Sequence, residues 1–222
     1  GETLYTHVLT GVLLLEALRE PLSLSDEEMR LLFTVFTVHD INKDPDFEGK
    51  RFNRIVIPEN FDQQIQKLGL DAFWPEYRDY LEDITELAGR HGAHSGLLGL
   101  SAAPPSRIGR ERLDKLLSLI RAVDIADLSH TLEERKHKAS FLSYLNSFLD
   151  DRQYAFYIHR LAENRGTLSN IIHNAIARTL ATHKLIPLLY YPDGIVYLIE
   201  KGAMVEVDGE LRRQMAKRTA KA

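Results

Sequence analysis

The 222-residue chain sets 28 Lys and Arg against 32 Asp and Glu, a formal net charge of −4, with 44% hydrophobic and 27% charged residues. This is the balance of a globular chain long enough to bury a core, and it excludes both wholesale disorder and a globally basic nucleic-acid binder, while leaving room for a local basic groove. The chain has no cysteine, which removes disulfide scaffolds, thiolate metal sites and cysteine nucleophiles, and fits a reducing, cytoplasmic setting.

Helical spacing dominates from the start. Leu4, His7, Gly11, Leu14 and Leu18 recur at steps of three and four and predict a first helix ended by Pro21 and Ser23. Its apolar run Val12 to Leu15 is cut by Glu16, far short of the roughly 18 residues that span a bilayer, so no membrane partner is expected. Ser25 stands three residues before Glu28, a capping box opening a second helix with Met29, Leu32, Phe36 and His39 on one face. Asp40 to Pro45 breaks it. Residues 44–60 then read as a long polar loop, basic at Lys50, Arg51 and Arg54, with Phe52 interleaved.

A short helix around Phe61, Ile65 and Leu68 follows. Pro75 is suited to the first position of the next one, whose face carries Tyr77, Leu81, Ile84, Ala88 and His91. Residues 95–105 form a connection. Ser106 is placed to cap the longest stripe, Leu113, Leu117, Ile120, Asp124 and Asp127. Further helices are expected at 141–149, 154–161 and 168–180. Apolar runs then flank Pro192-Asp193-Gly194, the pattern of a β-hairpin, before a basic tail. The expected fold is mainly α: a helical bundle over 1–184, then a hairpin and tail over 185–222 that begin or link to a following domain. The ends, Gly1-Glu2 and Lys217 to Ala222, read as cuts in a longer protein.

The polar residues on apolar stripes carry the chemistry. His7, His39, His91 and the pair Asp124 and Asp127 each interrupt a core-facing stripe, and Asp40 adjoins His39. A buried carboxylate must be paired, protonated or bound to a metal. The aspartates have a plainer alternative, capping or pairing with Arg121. As a ligand set, these nitrogens and oxygens suit manganese, iron, nickel, cobalt or zinc.

The order His7, then His39-Asp40-Ile41-Asn42-Lys43, then His91-Gly92-Ala93-His94, then Asp124-Ile125-Ala126-Asp127 resembles the HD superfamily of metal-dependent phosphohydrolases. The resemblance covers about residues 3 to 130 and implies a helical HD-domain bundle around one or two divalent ions, drawn from Mn, Mg, Ni, Co or Fe. It implies His7, His39, Asp40 and a closing aspartate as metal ligands. Ala126-Asp127 matches the usual ending and Asp124-x-x-Asp127 a variant in which Asp124 is the ligand. His91 and His94 would hold a second metal or touch the scissile phosphate. Lys43, one turn from the dyad, is suited to neutralising phosphate charge.

A narrower resemblance lies in Thr6-His7-Val8-Leu9-Thr10-Gly11 and in Leu188 to Leu198, which look like the large subunit of type I-D CRISPR interference complexes. It implies a metal-dependent DNA nuclease domain in antiviral defence. Its partners would be single-stranded or unwound DNA, other effector subunits and their guide RNA. Two other functions fit the HD pattern: a nucleotide phosphohydrolase, and a non-catalytic interaction module. No Walker-type phosphate loop is present, so ATP hydrolysis is not expected.

Overall fold

The computed structural model describes residues 4–92, 106–127, 143, 154–160, 186–191 and 194–200, which fall into two units. The first unit takes in Gly1–Asp127 and Ser140–Phe148, and among its described residues every regular element is helical. It comprises α1 (Leu4–Leu18), α2 (Asp26–Val38), 3-10 turns at Ile41–Lys43 and Pro45–Phe47, α3 (Phe52–Ile55), α4 (Pro58–Lys67) and α5 (Leu70–Phe73). A 3-10 helix at Pro75–Tyr80 leads into α6 (Leu81–Arg90), and α7 (Arg110–Asp127) follows.

Local chemistry explains where α2 begins. The Ser25 hydroxyl accepts from the Glu28 N–H at 3.2 Å, and the Glu28 carboxylate accepts from the Ser25 N–H at 2.9 Å. Two otherwise unpaired backbone donors are thereby satisfied, and Asp26, Glu27 and Glu28 place negative charge on the positive end of the helix. Buried Leu24 and Met29 flank the cap at the positions of a hydrophobic staple.

Helix α2 is the hub, packed against α1, α4, α6 and α7. Its Leu31, Leu32, Val35 and Phe36 are fully buried, as are Leu15 and Leu18 of α1, Phe61 and Ile65 of α4, Ile84 of α6 and Leu116, Leu119 and Ile120 of α7. The α1–α2 approach is closest at Gly11. A Cβ there would lie 1.9 Å from Phe36 Cε1, so the absence of a side chain is what lets the two helices meet. Ion pairs fasten α7. Arg112 binds Glu28 of α2, and Arg121 Nε and Nη2 donate to the Arg90 carbonyl at the end of α6, at 3.2 and 2.7 Å.

Several boundaries differ from the sequence reading. The loop expected over 44–60 is a series of short helical turns. Asp44 fixes it by accepting from the Asp46 N–H at 2.9 Å, from Gln64 at 3.1 Å and from Lys67 at 2.9 Å. The Asn60 amide adds bonds to the Arg54 and Ile55 carbonyls at 3.1 and 2.8 Å. Pro75 opens a 3-10 helix instead of α6 itself. Ser106 does not cap α7. Its hydroxyl accepts from the Gly109 N–H at 3.1 Å, making a turn before the helix begins at Arg110.

The second unit holds three strands, β1 (Tyr154–Arg160), β2 (Ile186–Tyr191) and β3 (Gly194–Glu200), paired antiparallel in the order β1-β3-β2. The helix expected over 154–161 is thus corrected to a strand over Tyr154–Arg160. Its aromatic and β-branched residues suit a strand and pair in register with β3, Phe156 with Leu198, Tyr157 with Tyr197 and Ile158 with Val196. The helices expected at 141–149 and 168–180 lie outside the described residues, Ser143 excepted, which is helical.

Candidate metal centre

The two histidines that follow α2 and α6 are presented by the same device. His39 is the residue after the last turn of α2, and its Nδ1 lies 2.6 Å from the Phe36 carbonyl. His91 stands in the same place after α6, with Nδ1 2.5 Å from the Ala88 carbonyl. A carbonyl only accepts, so each Nδ1 carries the proton and donates it. In the neutral ring Nε2 then keeps its lone pair. One hydrogen bond thus satisfies an orphan helix carbonyl, fixes the tautomer and aims the ring, which is the outer support a metal-binding imidazole requires.

His7, from the first turn of α1, and Asp124, from the last turn of α7, meet that ring. His7 Nε2 lies 3.2 Å from His39 Nε2, and Asp124 Oδ1 lies 3.4 Å from each of them. Asp40 follows directly, its Oδ2 3.6 Å from His39 Nε2. The His91 ring meets the His39 ring edge-on at 4.7 Å between centroids. Two overlapping groups result, His7 with His39 and Asp124, and His39 with Asp40 and His91, each with ligand atoms within 4.8 Å of one another. His39 is 1% exposed, at the bottom of the cluster. The buried Phe36 ring packs on both imidazoles, 5.4 Å from His7 and 4.7 Å from His39.

The first triangle has the dimensions of a coordination face. Ligand bonds of about 2.0–2.2 Å imply ligand–ligand edges of about 3.0 Å in an octahedron and about 3.4 Å in a tetrahedron. The observed edges are 3.2, 3.4 and 3.4 Å. Electron-rich atoms held this close need a proton or a cation among them. The field at Asp124 has that sign. Burial alone would raise the pKa of its carboxyl, but when the imidazoles carry a second proton, hydrogen bonds from His39 and His7 and the positive fields of His39 and His91 outweigh it, holding the carboxyl well below the usual carboxylate range. His91 moves the other way. Burial, with the neighbouring His39, lowers its pKa and favours the neutral form that binds metals. The donor chemistry therefore fits a divalent ion.

Among the described side chains, the carboxylate of Asp124 reaches the cluster. Asp127 is the last residue of α7 and its side chain lies outside the described residues, as does His94 entirely. Lys43 is largely exposed, and its ammonium donates to Asp40 Oδ2 at 2.5 Å, the same oxygen that faces His39. Arg121, the sequence alternative as a partner for the aspartates, donates to the Arg90 carbonyl. Two contributors escape a search for ligands by residue type: Phe36, which wedges the imidazoles, and Gly11, which admits Phe36. The i, i+3 pattern of a helix-ending histidine and the carbonyl behind it was the available signal for the shared device.

Among the described residues no helix is long and apolar enough to cross a membrane. No family model matches the chain. A search of curated proteins likewise finds no match.

Proposed function

We propose that the first unit is a metal-dependent phosphodiesterase. The observation that carries the reading is the convergence of His7 Nε2, His39 Nε2 and Asp124 Oδ1 at 3.2–3.4 Å, with Asp40 and Lys43 at its edge. His7, His39, Asp40 and Asp124 would hold a divalent ion, and His91 would hold or support a second. When bound, such an ion acidifies a water molecule and offsets phosphate charge. The chain's own residues do the rest. His39 and His91 keep their lone pairs inward through their backbone bonds. Asp40 holds the Lys43 ammonium beside the site, where it is placed to neutralise a phosphate oxygen as charge develops. The surrounding core of α1, α2 and α7 keeps the cluster rigid.

The finer reading rests on the sequence resemblance: a DNA nuclease domain of a type I-D CRISPR effector subunit, working on single-stranded or unwound DNA beside other subunits and a guide RNA, in the cytoplasm, with the β-hairpin region at 185–222 starting the next domain. The test incubates the protein with single-stranded DNA, duplex DNA and nucleoside triphosphates, each with manganese, magnesium, nickel or chelator. Metal-dependent cleavage of DNA is expected. Hydrolysis of nucleotides with DNA untouched under every metal would replace the nuclease reading with a nucleotide phosphohydrolase. Inertness toward all of them would favour an interaction module.

A further inference from the structure

Most cations of the first unit are spent on carboxylates: Arg19 on Asp26, Lys43 on Asp40, Lys67 on Asp44 and Asp46, Arg78 on Asp62, Arg110 on Glu86 and Arg112 on Glu28. Lys50, Arg51 and Arg54 differ. All three are exposed, and among the described residues no carboxylate lies within ion-pairing distance of any of them. Lys50 rests over the Phe47 ring at 4.9 Å, which holds the side chain without cancelling its charge. The nearby acids Asp44 and Asp46 share the single ammonium of Lys67 and turn to it instead of to these three cations. Exposed Glu48 is left beside three cations within five residues.

The segment that carries them is built. Asp44 ties its start to α4, Asn60 ties its end at the Arg54 and Ile55 carbonyls, and the buried side chains of Phe47 and Ile55 anchor it from below. Gly49 takes φ +75°, the left-handed turn that brings Lys50 round. Helix α3 packs against the Ile41–Lys43 turn, the turn that directly follows Asp40. A fixed run of three cations without an ion-pair partner among the described residues therefore adjoins the turn that follows Asp40, and half-buried Phe52 is interleaved within it.

We infer that Lys50, Arg51 and Arg54 form a track for the phosphodiester backbone of a single-stranded nucleic acid, with Phe52 as a stacking platform for one base. The inference deepens the phosphodiesterase reading and rests on it for the direction in which the strand leads. Three cations exceed what one phosphate needs, which points to a polynucleotide. An interleaved aromatic favours unpaired bases, whose faces a duplex conceals. The attraction is electrostatic and must weaken steeply with salt.

The test measures binding of fluorescent oligomers of about 20 nucleotides, (dT) and (rU), in chelator at a series of salt concentrations. The triple variant Lys50→Gln/Arg51→Gln/Arg54→Gln is compared with the parent. Affinity at low salt is expected to fall about tenfold or more, and the log–log salt slope by about two, at roughly 0.7 per cation for single strands. Phe52→Leu, which keeps the apolar bulk, should weaken binding about fivefold with little change in slope. Loss with either oligomer supports the track and identifies the strand it takes. Unchanged affinity and slope with both, or no binding of either by the parent at low salt, overturns it. Manganese-dependent hydrolysis of bis(p-nitrophenyl) phosphate, too small to use the track, should be the same in parent and triple variant. If that activity is missing from both while the binding loss is seen, the phosphodiesterase reading fails and the track stands.

Discussion

At the scale of single residues, the cluster depends on atoms whose positions are fixed from behind. His39 and Asp40 supply a nitrogen and an oxygen to the candidate centre, so His39→Ala/Asp40→Ala removes two ligands at once. Manganese-dependent hydrolysis of bis(p-nitrophenyl) phosphate should fall by at least about a hundredfold with the helical circular dichroism kept, because the Leu, Ile and Phe core is untouched and a buried carboxylate adds little net stability. Lys43→Ala should be milder, since the ligands remain and only a partly exposed cation is lost. Gly11→Ala tests the support in place of the ligands. The new methyl would strike the buried Phe36 ring, which packs on both the His7 and the His39 rings. A loss of about 1–3 kcal/mol in chemical denaturation is expected, as for overpacked cores, together with weaker manganese binding. A variant with parental stability and affinity would show that the ring contacts do not set the geometry. The ligand types were legible in the sequence because imidazoles and carboxylates stand out on apolar stripes. Phe36 and Gly11 were not, since a phenylalanine or a glycine on a stripe reads as ordinary core.

At the scale of elements, local signals transferred from sequence to structure and tertiary ones did not. The Ser25–Glu28 capping box is complete within four residues, and it forms as read. The turns over 41–55 depend on Asp44 and Asn60 reaching across to α4 and α3, and no short-range spacing encodes such bonds. Strand β1 was misread because its partner β3 is distant in sequence, although its run of Tyr, Phe, Tyr and Ile favours a strand over a helix. The cap makes two predictions. Ser25→Ala should cost about 1 kcal/mol of stability. Glu28→Gln keeps a capping side chain and removes the ion pair to Arg112. Burial alone would raise the pKa of Glu28, but bonds from Arg112 and Ser25 outweigh it and hold the carboxyl below its ordinary value. Its folded form therefore releases its proton more readily than the unfolded chain. The resulting stabilisation is present in full above the ordinary glutamate range and disappears as pH falls through the folded value. The parent should exceed Glu28→Gln in urea midpoint at neutral pH, and the gap should narrow at about pH 3.5. A gap that stays constant with pH would remove the ion pair from the explanation.

At the scale of the molecule, four helices of one unit converge on two overlapping groups that share His39, with α1 bringing His7, α2 His39, α6 His91 and α7 Asp124. A bundle built this way gains stability from whatever ion it binds, because the unfolded chain cannot assemble the set. Manganese should raise the melting temperature of the parent and chelator should reverse the rise, whereas His39→Ala/Asp40→Ala should show neither response. The helical character of this unit was legible from the stripes, and so was the candidacy of His7, His39, Asp40, His91 and Asp124, which the fold brings together. That Asp124 meets the histidines depends on the rotation of α7, which contacts with α1, α2 and α6 set and which spacing alone does not encode. The most direct measurement of the central claim is anomalous diffraction from crystals of the protein grown with manganese. The account predicts a peak bonded to His7 Nε2, His39 Nε2 and Asp124 Oδ1 at about 2.0–2.2 Å. No peak within that triangle at saturating manganese, or a peak only at other residues, would contradict it.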